Sequence, residues 1–104
     1  MQIQVNTDKH IDGHAMAAQR VEDTLTAELS HYSAHITRLE VHLSDANSAK
    51  SGLHDKHCLL EARLEGQTPL IVTHDAADID QAVSGAAEKL VHAIAHHLGK
   101  LEAH

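Results

Sequence analysis

Several of the residue types that usually announce a protein's chemistry are scarce here. Cys58 is the only cysteine among 104 residues, so no disulfide can form within the chain, as suits a reducing compartment. Phenylalanine and tryptophan are absent and Tyr32 is the only large aromatic residue, so a core has to be built from Leu, Ile, Val, Ala and Met. No apolar run approaches the roughly 20 residues that a membrane span requires. The N-terminus reads Met1-Gln2-Ile3-Gln4-Val5, without a basic leader or a long apolar stretch, so no secretory signal is expected and a cytoplasmic location is. Proline occurs once, at Pro69, and no repeat or low-complexity linker divides the chain, so residues 1–104 are expected to form a single domain. No phosphate loop, nucleophile elbow or pair of catalytic carboxylates occurs, and neither an enzyme nor a cofactor is expected.

Positive charge is also scarce. Eight lysines and arginines face 15 acidic residues, for a formal net charge of −7, the opposite of the basic balance of a generic nucleic-acid binder. What is abundant is histidine. Twelve protonated histidines would turn −7 into +5. Histidine ordinarily titrates near ~6.5, so the sign of the chain's charge is sensitive to mild acid.

Hydrophobic periodicity organises the rest. Residues 2–6 alternate, with Ile3 and Val5 on one side, as a short strand does. Residues 14–32 read as a helix, with Ala18, Val21, Leu25, Leu29 and Tyr32 at steps of three and four. Residues 36–44 alternate again through Leu39, Val41 and Leu43. A polar loop then runs from Asp45 to Asp55. The next strand is expected over 56–65, with Cys58, Leu60, Ala62 and Leu64 inward. Gly66-Gln67 is placed as a hairpin turn, and a strand over 69–74 follows, with Pro69 tolerable only near its start. Asp78 stands where a helix cap belongs, ahead of a long helix over 79–101 with Ile79, Val83, Ala86, Leu90, Ile94, Leu98 and Leu101 on one stripe. Gly85 weakens that helix by about 1 kcal/mol relative to alanine, and a close helix–sheet contact would explain it. The expected fold is α+β: β-α-β-β-β-α, a four-stranded mixed sheet with two helices packed on one face, as in double-stranded-RNA-binding domains.

Order and spacing together resemble the ribosome hibernation-promoting factors, also called protein Y or sigma-54 modulation proteins, over nearly the whole chain. The likeness is greatest at Asp78-Ile79-Asp80-Gln81-Ala82-Val83, Glu88-Lys89-Leu90 and Lys100-Leu101, and extends to Leu29–Ile36 with Tyr32 near the helix end. It implies a factor that binds the small ribosomal subunit near the decoding channel and silences or stores ribosomes under stress. Long members of that family add a C-terminal domain, which these 104 residues are not expected to contain. Its members meet rRNA phosphates with cations on both helices. The residues that stand there in this chain are Arg20, Lys89, His92, His96, His97 and Lys100. Histidine occupies places where the family tends to carry lysine or arginine.

Other readings of the same residues stay open. His92 and His96, at i and i+4, share a helix face and are weak candidates to ligate a metal ion; His54 and His57 are weaker still. Cys58 on an apolar strand face reads as an inert thiol rather than a nucleophile. Asp78 and Asp80 read as capping and dipole residues rather than acid–base groups. The outward row of Gln2, Gln4, Arg38, Glu40, His42, Glu61 and Arg63 is either a solvated sheet face or a homodimer surface. The acidic surface also fits a basic protein partner in place of the ribosome.

Overall fold

The structure, a computed structural model, describes residues 1–8, 14–45 and 56–102, with side chains described except at 14–17 and 100–102. Strand β1 spans Gln2–Thr7, helix α1 His14–Glu28, strand β2 Ile36–Asp45, β3 Lys56–Leu64, β4 Leu70–Ala76, and helix α2 Ile79–Glu102. The four strands lie in the order β1-β2-β3-β4. β1 runs parallel to β2, and the β2–β3 and β3–β4 pairs are antiparallel. This is the expected mixed sheet. α1 covers β1 and packs on α2, which lies across β3 and β4, so both helices share one face.

The alternation read from the sequence sets that face. Leu39, Val41 and Leu43 of β2 and Cys58, Leu60, Ala62 and Leu64 of β3 are buried. Their partners are Val21 and Leu25 from α1, Leu29 just after it, and Val83, Ala86, Leu90 and Ile94 from α2. Tyr32 packs on the edge of this aliphatic core with its ring edge-on to His31 at 4.8 Å.

The first helix is shorter than the periodicity suggests. Its last α-type bond runs from Leu29 N–H to Leu25 O at 2.9 Å. From there Tyr32 N–H bonds Leu29 O at 2.9 Å, and Ser30–His35 tightens into a 3-10 helix. Serine explains the change: Ser33 Oγ donates to Ser30 O at 3.1 Å, a local bond that competes with the helical ladder. The apolar spacing of Leu29 and Tyr32 survives because 3-10 geometry also returns every third residue to the same side. Pro69 falls just outside β4, because it has no N–H to give the ladder.

Two local devices set the register. Thr37 is an extra residue between the pairs Ile36–Leu64 and Arg38–Arg63, with its hydroxyl donating to Arg63 O at 3.0 Å. Gln67 N–H bonds Leu64 O at 3.0 Å across a turn in which Gly66 has φ +71°, a left-handed conformation that suits glycine.

Candidate nucleic-acid interface

α2 begins as its sequence dictates. Asp78 Oδ1 accepts from Gln81 N–H at 2.8 Å, and Asp78 O accepts the first helical bond from Ala82 N–H at 3.0 Å. Burying Val83, Leu90 and Ile94 then fixes the rotation of the helix. Two polar rows flank that apolar stripe at steps of four residues, and they behave differently.

One row stitches the helix to the free edge of β4. At Gly85 the helix backbone presses on the His74 ring so closely that a Cβ would stand 2.1 Å from its Cδ2. This is the close approach the glycine in mid-helix implied. One turn on, Lys89 Nζ donates to Thr73 O at 2.8 Å, satisfying a carbonyl of an edge strand. Two turns further, His97 Nε2 lies 3.1 Å from Gln67 Oε1 in the β3–β4 turn. An amide oxygen only accepts, so His97 donates.

The other row, Ser84, Glu88, His92 and His96, is exposed to solvent. His92 and His96 make no hydrogen bond or ion pair with any described residue. Lys100 is next at the same spacing, but its side chain lies outside the described ones.

Arg20, the cation expected from the first helix, is also engaged. Its Nη2 meets both carboxylate oxygens of Asp80 at 2.9 Å and bridges α1 to α2. Arg20 and Asp80 are 59% and 64% exposed, so the pair is a surface bridge worth at most about 1 kcal/mol.

The same holds across the open sheet face. Arg38 stands directly opposite Arg63, and Glu40 opposite Glu61. Like charges in register repel. The pairing instead runs along each strand, Arg38 to Glu40 at 3.0 Å and Arg63 to Glu61 at 3.6 Å, while Arg38 also donates to Gln4. Lys56 meets Asp45 at 3.1 Å, and His57 meets Asp75 at 2.5 Å. Every lysine or arginine whose side chain is described thus has a carboxylate or a carbonyl as partner.

The described residues among the six singled out as phosphate contacts differ in their engagement. Arg20 and Lys89 are committed within the fold, and His97 is tied to the turn. His92 and His96 project freely, and Lys100 is undescribed. Sequence spacing placed these residues on the two helices, but it gave no sign of internal partners, which come from β4, the β3–β4 turn and Asp80.

The remaining chemistry is quiet. Cys58 is fully buried, and desolvation pushes its thiol from 9.0 up to about 12, as befits an inert thiol. Among the described residues, no group of three or more His, Cys, Asp or Glu side chains is placed to hold a metal ion, so His92 and His96 are two potential ligands without a third. His54 lies outside the described residues. Among the described residues, no helix is long and apolar enough to cross a membrane.

Comparison with known proteins gives a consistent answer. The family model described as sigma 54 modulation protein / S30EA ribosomal protein matches residues 3–102. The fold is similar to that of the Thermus thermophilus Protein Y N-terminal domain, with a TM-score of 0.66 and 22% identity over 86% of this chain and 91% of that one. It is equally similar to a ribosomal subunit interface protein from Coxiella burnetii, with a TM-score of 0.66 and 18% identity over the full length of both. No protein among those of curated function matches.

Proposed function

Because this chain belongs to the sigma 54 modulation protein / S30EA ribosomal protein family, a family of ribosome-associated factors rather than enzymes, we propose that it is a cytoplasmic factor that docks on the small ribosomal subunit and holds translation off under stress. In this reading rRNA phosphates meet the solvent row of α2, and histidine supplies the charge that lysine supplies elsewhere in the family.

One observation carries the histidine part of the reading. Every described lysine and arginine is already engaged within the fold, whereas His92 and His96 stand free on an exposed helix row. Phosphate contact needs a cation, and imidazole becomes one only when protonated, with both ring nitrogens then donating. Glu88, one turn before His92 on the same row, is an acidic neighbour that opposes phosphate. Lys100 and the partly committed Arg20, Lys89 and His97 complete the proposed contact set. Binding should then be weak at neutral pH and strengthen in mild acid.

The test is a pair of variants in a ribosome-binding assay. H92A/H96A/H97A should lose binding at pH 6 and change little at pH 7.5, while H92R/H96R should bind at both. Equal loss at both pH values in the alanine variant would sink the idea that histidine charge gates binding.

A homodimer through the open sheet face has weaker support, since Arg38, Glu40, Glu61 and Arg63 already neutralise one another within the sheet. Self-association of the wild-type chain in sedimentation equilibrium would revive it.

A further inference from the structure

A cleft of about 280 Å³ opens beside the C-terminal half of α2, lined by Ala34, His35, Leu64, Glu65, Gln67 and Leu98. It lies where the 3-10 helix, the end of β3, the β3–β4 turn and α2 converge. We propose that this cleft holds a single unpaired guanine base of an RNA strand.

Size and lining point to a base. The volume lies at the lower limit of small-molecule sites, suited to one heterocycle rather than a larger ligand. Leu64 and Leu98 supply apolar lining. His35 adds a ring of the kind on which unstacked bases settle. His35 is in turn tilted against Tyr32, with ring centroids 6.4 Å apart, which steadies the one ring that lines the cleft.

The polar groups select guanine. Glu65 and Gln67 flank Gly66, so the turn that Gly66 makes brings both to the cleft. An ionised carboxylate only accepts hydrogen bonds. The Watson–Crick edge of guanine offers it two adjacent donors, N1–H and N2–H, and beside them the acceptor O6. Gln67 can serve that acceptor. Its Oε1 is occupied by His97 at 3.1 Å, which leaves the amide NH2 to donate. Uracil and adenine each present only one donor on this edge, and cytosine presents an acceptor where the carboxylate needs a second donor. Toward the base His97 is a positioning residue, which orients Gln67.

The proposal rests on the ribosomal reading only for the origin of the base, so its test uses no ribosome. Backbone amide shifts of the whole chain are followed by NMR while the pentanucleotides UUGUU, UUAUU and UUUUU, and separately GMP, are titrated in. The expected result is saturable shifts at Ala34, His35, Leu64 and Gln67 with UUGUU at concentrations about tenfold below those needed for UUAUU or UUUUU, with GMP weaker than UUGUU. E65Q, which exchanges one acceptor for a donor, should erase that preference without altering the rest of the spectrum. H97A should weaken it, and H97Q, which keeps a donor, should restore part of it.

Shifts confined to His92 and His96, or equal shifts with all three oligonucleotides, would overturn the base site. GMP binding as tightly as UUGUU would overturn an RNA strand as the source. Loss of guanine preference with ribosome binding intact would refute this inference alone, while guanine preference without ribosome binding would refute the proposed function and leave the cleft.

Discussion

Replacing Gly85 by alanine should destabilise the protein, although the same exchange in an ordinary helix stabilises it. Alanine gains about 1 kcal/mol over glycine in a helix interior. Here the new Cβ would lie 2.1 Å from Cδ2, 2.3 Å from Nε2 and 2.7 Å from Cγ of His74. Contact reaching Cγ means the whole ring has to swing, on a half-buried strand residue with α2 above it. Overpacking of this kind costs about 1–3 kcal/mol, so the net effect of G85A is a loss of about 0–2 kcal/mol. Removing the obstacle reverses the sign: in an H74A background, G85A should stabilise by about 1 kcal/mol. Urea unfolding of the four proteins forms a double-mutant cycle with an expected coupling of about 1–3 kcal/mol. A coupling near zero, or stabilisation by G85A in the wild-type background, would show that the ring does not bear on the helix backbone and that the glycine has another reason to be there.

Three further expectations follow from the same structure. The Cys58 thiol should resist an aromatic disulfide reagent at neutral pH until the chain unfolds. Because its folded value, about 12, lies above the 9.0 of an exposed thiol, its contribution to stability is whole below pH 9 and drains away as pH rises toward 12, by up to about 1.4 kcal/mol per pH unit. Wild type should therefore lose more stability than C58A across that alkaline window, and parallel losses would contradict the burial. D80N, which releases Arg20, should change unfolding free energy by no more than about 1 kcal/mol yet raise the salt needed to elute the protein from heparin; unchanged elution would mean Arg20 stays unavailable for another reason. L60A and L90A, at the centre of the aliphatic core, should each cost about 2–5 kcal/mol in chemical denaturation, and a cost below 1 kcal/mol would argue against the sheet–helix packing described.

The fold was legible in the sequence to the extent that it depends on periodicity. Alternation in Leu39-Glu40-Val41-His42-Leu43 fixes which face of β2 is buried, and the stripe from Val83 to Ile94 fixes the rotation of α2, because burying apolar surface dominates both choices. Asp78 as a cap and Gly66 as a turn were legible for the same reason: each follows from local backbone chemistry. The end of α1 was not, because a 3-10 turn from Ser30 to His35 keeps the hydrophobic spacing while changing the hydrogen bonds. Nor was the commitment of the candidate cations. Arg20 and Asp80 are 60 residues apart, Gln67 and His97 are 30 apart, and Lys89 finds a backbone carbonyl that any residue at position 73 would present. Such partners depend on tertiary register, to which helical spacing is blind. The cleft beside the β3–β4 turn escaped for the same reason, since its lining residues come from three separate stretches of the chain.

Co-sedimentation of the wild-type protein with purified small ribosomal subunits, at pH 6 and pH 7.5 across a salt series, tests the central claim most directly. Saturable binding is expected at pH 6, weakening with salt at a log–log slope of about −0.7 per phosphate contact, with much weaker binding at pH 7.5. Absence of binding at both pH values in low salt would contradict it, and binding of equal strength and equal salt dependence at both would contradict the role given to the histidines of α2.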